Sequence, residues 1–82
     1  MSAVRVIIYT ADYCPYCKAA KKFLTTKSVT FQEVDVTHDD DQRQKLVQMT
    51  GGRETVPQIF VDGKPIGGYD DLVALYASGK SI

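Results

Sequence analysis

Two cysteines three positions apart, Cys14 and Cys17 in Cys-Pro-Tyr-Cys, are the residues of this chain best suited to chemistry. A structural zinc site usually takes four ligands, and the chain adds only His38, so we expect no complete metal cage from one chain. A structural disulfide would close a very short loop, where the entropic gain is smallest, and would need an oxidising compartment. A redox-active dithiol is the third interpretation, and it requires a βαβ pattern around the pair.

The segments on either side of the cysteines predict that pattern. Val4–Thr10 is β-branched, aromatic and almost continuously apolar, which is typical of a central strand. From Pro15 to about Lys27 the apolar residues recur at helical spacing, and proline suits the first position of a helix. Thr30–Val36 alternates between apolar and polar residues and predicts a second strand. Strand, helix and strand at this spacing form a βαβ unit with parallel strands.

The rest of the chain predicts a helix, a hairpin and a last helix. Asp39–Asp41 could resemble a metal site, but acids also favour the first turn of a helix, and we expect one that runs to about Thr50 and stops at a Gly-Gly pair. In chain order, the remaining elements are the strands Gln58–Val61 and Lys64–Ile66 and the helix Tyr69–Ala77. The order β-α-β-α-β-β-α predicts an α/β fold, with residues 1–82 forming a single domain.

Composition excludes several classes of protein. The 82 residues, 9.1 kDa in mass, carry ten basic and ten acidic side chains, and this balance argues against a nucleic-acid partner. The best apolar run, Val6–Tyr9, is far shorter than the roughly 18 residues of a membrane span, and it is too short for a signal peptide. We therefore expect a small soluble protein, cytoplasmic and monomeric, with no membrane partner.

The predicted position of the cysteines assigns them different roles. Cys14 falls at the start of the first helix, where unpaired N–H groups and the helix dipole favour an anion. Helix N-termini and Cys-X-X-Cys contexts lower the pKa of a thiol, so Cys14 is predicted to be the attacking thiolate. Cys17 lies one turn further in and is predicted to resolve a mixed disulfide.

Four further features each have a structural and a functional interpretation. Pro57 suits the first position of a strand, but a cis bond before it would turn the Val56 backbone outward to pair with an extended peptide. Gly67–Asp71 forms a turn with an acidic first helical turn, or a pocket whose N–H groups hold a carboxylate while its last residue accepts from an ammonium group. Tyr16 packs on a ligand or covers the helix start. The lysines either attract anionic thiols or form a solvated face; they are Lys18, Lys21 and Lys22.

Three blocks of sequence together resemble the dithiol glutaredoxins of the small bacterial, glutaredoxin 3-like class. The blocks are Cys14–Cys17, Thr55–Asp62 and Ile66–Leu72, and the resemblance extends over essentially the whole chain. It implies a thioredoxin fold with a four-stranded mixed sheet flanked by three helices, and a cis peptide before Pro57. It further implies a glutathione-dependent thiol–disulfide oxidoreductase that uses glutathione as reductant and needs no metal.

The resemblance also implies how glutathione is held, as an extended tripeptide lying across the sulfur of Cys14. Its implied binding residues are Tyr16, Thr55, Val56, Pro57, Gly68, Tyr69, Asp70 and Asp71. Relatives usually carry a basic residue at the position of Ala11, where it meets the glycine carboxylate. Here the charge comes from Lys18, Lys22 or Arg53 instead, or glutathione binds more weakly. The implied partners are glutathionylated or disulfide-containing proteins and, indirectly, the glutathione reductase system.

Two rival functions stay open at this point. One is an electron carrier reduced by thioredoxin reductase, against which the Gly-Gly-Tyr-Asp-Asp turn favours glutathione. The other is a protein that binds or transfers a 2Fe–2S cluster, held by Cys14 from two chains and two glutathiones. By the resemblance, a proline after the first cysteine makes cluster binding less favourable. Neither the physiological substrate nor the redox potential follows from the sequence.

Overall fold

The computed structural model describes residues 5–53 and 55–82 of the chain. Its elements follow the predicted order, β-α-β-α-β-β-α. Their bounds are β1 Val6–Thr10, α1 Pro15–Thr26, β2 Gln32–Asp35, α2 Asp40–Thr50, β3 Gln58–Val61, β4 Lys64–Gly67 and α3 Tyr69–Ala77. Val4, the predicted first residue of β1, lies outside the described residues.

The strands form one four-stranded mixed sheet in the order β2-β1-β3-β4. β1 runs parallel to β2 and antiparallel to β3, and β3 pairs antiparallel with β4. Ile8 of β1 lies between Glu33 of β2 and Ile59 of β3. The central position that the apolar character of β1 predicts is confirmed, as is the parallel βαβ unit around the cysteines.

The predicted bounds of α1, β2 and β4 differ from the observed ones by one or two residues. α1 ends at Thr26 and not at Lys27, because Lys27 is its C-cap and Ser28 then turns into the left-handed region at φ 60°. β2 is Gln32–Asp35 and not Thr30–Val36, because only those four residues lie in register with residues of β1, although the Val36 N–H still donates to the Thr10 carbonyl at 2.8 Å. β4 extends one residue further, to Gly67, which pairs with Ile59 of β3. Side-chain alternation marks a strand but does not show where its ladder begins.

Helices α1 and α3 pack against the same apolar cluster of the sheet. The cluster joins both helices to β1 and β3, and its buried members are Val6, Ile8, Ala20, Leu24, Ile59 and Leu72. Ala20 and Leu24 are one turn apart on α1 and fully buried, as their helical spacing predicts. This packing fixes the start of α1 relative to the ends of β1 and β3, where the cysteines lie.

The three consecutive aspartates begin α2, as predicted. Asp39 is the N-cap, and its Oδ1 accepts from the Gln42 N–H at 3.1 Å. Asp40 and Asp41 occupy the first turn, where a negative charge stabilises the helix dipole. The helix ends at Thr50, and its C-cap is Gly51, whose φ of 74° suits a residue without a Cβ.

One carboxylate ties β1, β2 and α1 together. Thr10 is 1% exposed, and its hydroxyl donates to Oε2 of Glu33 at 2.6 Å. Lys21 of α1 donates to the same oxygen at 3.0 Å. These two bonds, the one from Thr10 first, hold the pKa of Glu33 below its ordinary value.

This lowered pKa predicts a pH-dependent share of stability. A carboxylate whose pKa is lowered by folding stabilises the fold above its ordinary pKa, and this stabilisation is lost as the pH falls through the lowered value. The free energy of unfolding of the natural protein should therefore fall more between about pH 6 and pH 3 than that of Glu33→Gln. Because Glu33 is partly exposed, the difference should be below about 1 kcal/mol. Urea unfolding across the pH range measures it.

Lys21→Met is the matched control for Glu33→Gln. It removes the longer of the two bonds to Glu33 and keeps the bond from Thr10. The free energy of unfolding of Lys21→Met should therefore still fall more at low pH than that of Glu33→Gln. Parallel pH profiles for the natural protein and Glu33→Gln would show that Glu33 contributes no such stabilisation.

Candidate active site

Cys14 is the N-cap of α1, and its backbone is extended with φ −97° and ψ 109°. Its Sγ accepts the N–H of Cys17 at 3.1 Å, so the sulfur takes the place that a Ser or Asp oxygen takes at an ordinary N-cap. Pro15 follows at the first helical position, where its missing N–H has no consequence. This geometry presents an N–H and the positive end of a helix to the sulfur.

The turn that carries Cys14 is tied to the rest of the fold on two sides. The N–H of Cys14 donates to the Ala11 carbonyl at 3.2 Å, and the Asp12 N–H donates to Oγ1 of Thr37 at 2.8 Å. Tyr13 is 64% exposed, and its hydroxyl accepts from the guanidinium of Arg43 on α2. The sulfur is therefore held by a turn that α2 and the segment between β2 and α2 both support.

The segment before β3 approaches Cys14 from the other side. Sγ of Cys14 lies 3.4 Å from the Val56 carbonyl oxygen, to which the thiol donates. The Val56–Pro57 peptide is cis, as the resemblance implied. Ala11, Cys14 and Cys17 form a small buried cluster with Val56 packed against it. The sulfur thus lies between the start of α1 and the Val56 backbone.

A groove of about 310 Å³ extends from Val56 to the start of α3. It brings together all eight residues predicted to bind glutathione. Its lining is Tyr16, Arg53, Thr55, Val56, Pro57, Gln58, Gly68, Tyr69, Asp70 and Asp71. Neither cysteine lines it, and Cys14 meets the groove through its contact with Val56. The arrangement suits an extended ligand whose reactive atom reaches Cys14 at the Val56 end.

The comparisons with known proteins agree with this geometry. The family model described as Glutaredoxin matches residues 6–66, more than half of the chain. The chain belongs to the glutaredoxin family. Glutaredoxin 3 of Escherichia coli (strain K12) is 49% identical to it over 74 residues, which cover 90% of this chain and 88% of that protein. The class that the three blocks of sequence indicated is confirmed, and the enzyme is a glutathione-dependent thiol–disulfide oxidoreductase.

Solved glutaredoxin structures share the fold. The solution structure of glutaredoxin from Brucella melitensis matches with a TM-score of 0.83 at 43% identity, covering 96% of this chain and 85% of that chain. The crystal structure of a buckwheat glutaredoxin–glutathione complex matches with a TM-score of 0.84 at 31% identity, covering 92% and 70%. The thioredoxin fold that the resemblance implied is therefore confirmed.

The second cysteine of this glutaredoxin is buried one helical turn inside α1. Cys17 is 1% exposed, against 6% for Cys14. Burial raises the pKa of the Cys17 thiol to about 12, and the hydrogen bond with Cys14 and the charge of that sulfur act in the same direction. Cys17 is therefore a neutral thiol at neutral pH, in agreement with the sequence-based expectation that it is the less exposed of the pair.

The start of α3 is shaped by two glycines and one carboxylate. Oδ2 of Asp71 accepts the Gly68 N–H at 3.0 Å. Gly67 has φ +109°, and a Cβ there would collide with the Asp71 carboxylate. At Gly68 a Cβ would meet the Pro57 carbonyl oxygen at 3.2 Å. The Gly-Gly pair thus lets the helix start approach both Asp71 and the Pro57 segment.

One cationic side chain lines the groove within the part of the chain that the structure describes. Arg53 NH1 lies 3.7 Å from Asp71 Oδ2. Lys18 and Lys22, which were also expected to compensate for the missing basic residue at position 11, do not line the groove. Lys21, for which the sequence left open an attraction of anionic thiols or a solvated face, is paired with Glu33. Of the three candidate sources of charge, only Arg53 faces the ligand groove.

Gln58 lines the groove but was missing from the predicted site. It is 2% exposed, and its Nε2 donates to the Thr55 carbonyl at 3.0 Å and to the Thr55 hydroxyl at 3.3 Å. Its Oε1 is buried and has no hydrogen-bond partner among the described residues. The sequence feature that could have identified Gln58 is its position as the one polar residue of β3, at the first position of that strand. Gln58 fixes the Thr55 end of the segment that presents Val56 to Cys14.

Aromatic side chains form the outer rim of the groove. Tyr16 is 61% exposed, and its ring centroid lies 6.1 Å from that of Tyr69. Tyr69 in turn contacts Phe23 of α1 edge to face at 6.5 Å. Tyr16 therefore does not cover the helix start as a buried residue would, and its ring is available to a ligand in the groove.

Two structural findings bear on metal and membrane sites. Among residues 5–53 and 55–82, no three His, Cys, Asp or Glu side chains lie close enough together to hold a metal ion. In the same ranges, no helix combines the length and apolar character needed to cross a membrane. Binding of an iron–sulfur cluster between two chains stays a rival function that these findings do not test.

The unequal cysteines predict selective alkylation. With iodoacetamide at about pH 8, Cys17→Ser should react at nearly the rate of the natural protein, because it keeps Cys14, the less deeply buried thiol at the start of α1. Cys14→Ser should react at least about 100-fold more slowly, since burial keeps Cys17 protonated. Mass spectrometry of timed samples measures both rates. Rates within about tenfold of each other would contradict the difference between the two thiols.

Proposed function

We propose that Cys14 is the nucleophile of this glutaredoxin and that it reduces both protein–glutathione mixed disulfides and protein disulfides. The observation that carries the proposal is the position of Sγ of Cys14. It lies 3.1 Å from the Cys17 N–H at the start of α1 and next to a groove that joins Val56 to the start of α3. A thiolate there has a helix N-terminus to stabilise it and a binding groove to orient its target.

In the proposed reaction with a mixed disulfide, the Cys14 thiolate attacks the glutathionyl sulfur. A new disulfide forms between Cys14 and glutathione, and the protein thiolate leaves and takes a proton from solvent. The thiolate of a second glutathione then attacks the glutathionyl sulfur, which releases glutathione disulfide and restores Cys14. Cys17 takes no part in this route.

In the proposed reaction with a protein disulfide, both cysteines act. Cys14 attacks one sulfur of the protein disulfide, whose S–S bond breaks and releases the first protein thiolate. Cys17 then loses its proton to solvent and attacks the Cys14 sulfur of the mixed disulfide, which forms the Cys14–Cys17 disulfide and releases the second protein thiolate. Two glutathiones then reduce the Cys14–Cys17 disulfide. The N–H of Cys17 already contacts the Cys14 sulfur at 3.1 Å, so the two residues are near each other before reaction.

We place glutathione in the groove as an extended tripeptide. Its cysteine residue would pair with the Val56 backbone beside Pro57, next to Thr55. Its γ-glutamyl end would meet the backbone at 68–70 and the carboxylate of Asp71, and Tyr16 would cover it from outside. The support is that these residues line one groove, and that a related buckwheat glutaredoxin forms a complex with glutathione.

The assignment of the cysteines is tested with single serine variants. Cys14→Ser should abolish turnover of a small glutathione mixed disulfide and of a protein disulfide. Cys17→Ser should keep at least about half of the deglutathionylation activity while losing protein disulfide reduction, because only the second route needs a resolving thiol. The assay couples glutathione, glutathione reductase and NADPH. Activity that survives Cys14→Ser but not Cys17→Ser would reverse the assignment.

Ala11 generates a second test of the binding mode. Ala11 is 5% exposed and packs beside both cysteines, so its position is close to the reacting sulfur. A lysine there can extend its amine to the surface and offer a charge to the glycine carboxylate. Ala11→Lys should lower the KM for glutathione by more than twofold with little change in kcat. Ala11→Met, which adds a similar length without charge, is the control, and an equal effect of both variants would exclude a charge effect.

A further inference from the structure

Arg53 and Asp71 form an open ion pair across the proposed glutathione groove. The distance from NH1 to Oδ2 is 3.7 Å, beyond an ordinary hydrogen bond, and the two side chains are 55% and 51% exposed. Such a pair adds little to stability, because water screens it on both sides. Its position among the groove residues suggests a role in binding.

The two members of the pair differ in how firmly they are held. The Asp71 carboxylate is fixed by the Gly68 N–H at 3.0 Å and by its close approach to Gly67. The backbone of Arg53 is also fixed, because its N–H donates to the Thr50 hydroxyl at 3.0 Å and its carbonyl accepts from that hydroxyl at 3.1 Å. The long Arg53 side chain is the part that can adjust.

The charges of the groove constrain what can bind at this end. Asp70 and Asp71 both line it, so a ligand ammonium group is attracted but a ligand carboxylate is repelled. The N–H groups at the start of α3 offset part of that repulsion, and Arg53 supplies the one full positive charge in the described lining. A guanidinium also presents several donors in a planar fork that matches a carboxylate.

We propose that Arg53 recognises the α-carboxylate of a γ-glutamyl ligand whose ammonium group is held by Asp71 in the proposed glutathione site. Asp71 accepts from its ammonium group, and Arg53 moves off Asp71 to donate to its α-carboxylate. This assignment rests on the proposed glutathione site and deepens it. It places Arg53 at the γ-glutamyl end, so Arg53 does not replace the basic residue missing at Ala11.

The test isolates one chemical step in the Cys17→Ser background, where reaction stops at the Cys14–glutathione disulfide. The substrates are mixed disulfides of cysteamine with glutathione or with one of three analogues. The first analogue carries an ethyl ester on the glycine carboxyl. The second has 4-aminobutyrate in place of glutamate and so lacks the α-carboxylate. The third has glutarate in place of glutamate and so lacks the ammonium group. Stopped-flow measurement of the second-order rate constant compares variants on each substrate.

Arg53→Met should lower the rate constant about fivefold with glutathione and equally with the glycine ester, as expected for loss of a partly exposed charge contact. With the analogue that lacks the α-carboxylate, its effect should fall below about twofold. Arg53→Lys should recover part of the loss. The side-chain oxygen of Asp71→Asn can still accept the Gly68 N–H, so the start of α3 should keep its shape. Asp71→Asn should lower the rate constant with every substrate except the analogue that lacks the ammonium group.

Lys45→Met is the matched control. Lys45 is exposed on α2, outside the groove, and its substitution removes the same charge, so every rate constant should stay unchanged. An Arg53→Met effect that vanishes with the glycine ester would move Arg53 to the glycine end and overturn the inference. An equal effect on all four substrates would overturn it too. Failure of the proposed function would give a different result. The Cys17→Ser protein would then react with the cysteamine–glutathione mixed disulfide no faster than with cystamine.

Discussion

The hydrogen bond from the Cys17 N–H to the Cys14 sulfur is the constraint on which the site depends. It makes a sulfur the N-cap of α1, so the atom proposed to react is positioned by the first turn of a helix and not by a flexible side chain. That helix is held in turn by Ala20 and Leu24, which are fully buried against the sheet. Packing of an apolar helix face far from the sulfur therefore sets the position of the reacting atom.

Strand pairing brings the rest of the groove to the same place. Tyr9 of β1 pairs antiparallel with Gln58 of β3, so the residues after Tyr9 run beside those before Gln58, and Cys14 meets Val56. Ile59 pairs with Gly67 of β4, so the turn into α3 comes beside Pro57. A groove built from segments about 40 residues apart in sequence is thus a consequence of β-sheet register.

The sequence predicts what depends on local pattern. The helical spacing of Ala20 and Leu24 and the run of acids at 39–41 specify elements that the structure contains. The roles of Gln58 and Arg53 depend on distant partners, the Thr55 segment and Asp71, and no periodicity encodes such pairs. The length of β2 was overestimated for the same reason, because only a partner strand defines where pairing stops. The groove residues were predicted through the family resemblance, since the turn patterns alone left a structural interpretation open for each of them.

The contrast between the two thiols has a consequence for the order of the proposed steps. Three influences raise the pKa of Cys17: its burial, the hydrogen bond with Cys14 and the charge of Cys14. Two of them disappear once Cys14 is bound in a mixed disulfide, whereas the lowering influences of Ala11 and Lys21 remain. Burial, the largest of the three, acts whether or not Cys14 is in a disulfide. Two adjacent thiolates would repel each other, which favours one negative charge on the pair over two, and in the proposed route Cys17 attacks only after Cys14 has formed the mixed disulfide.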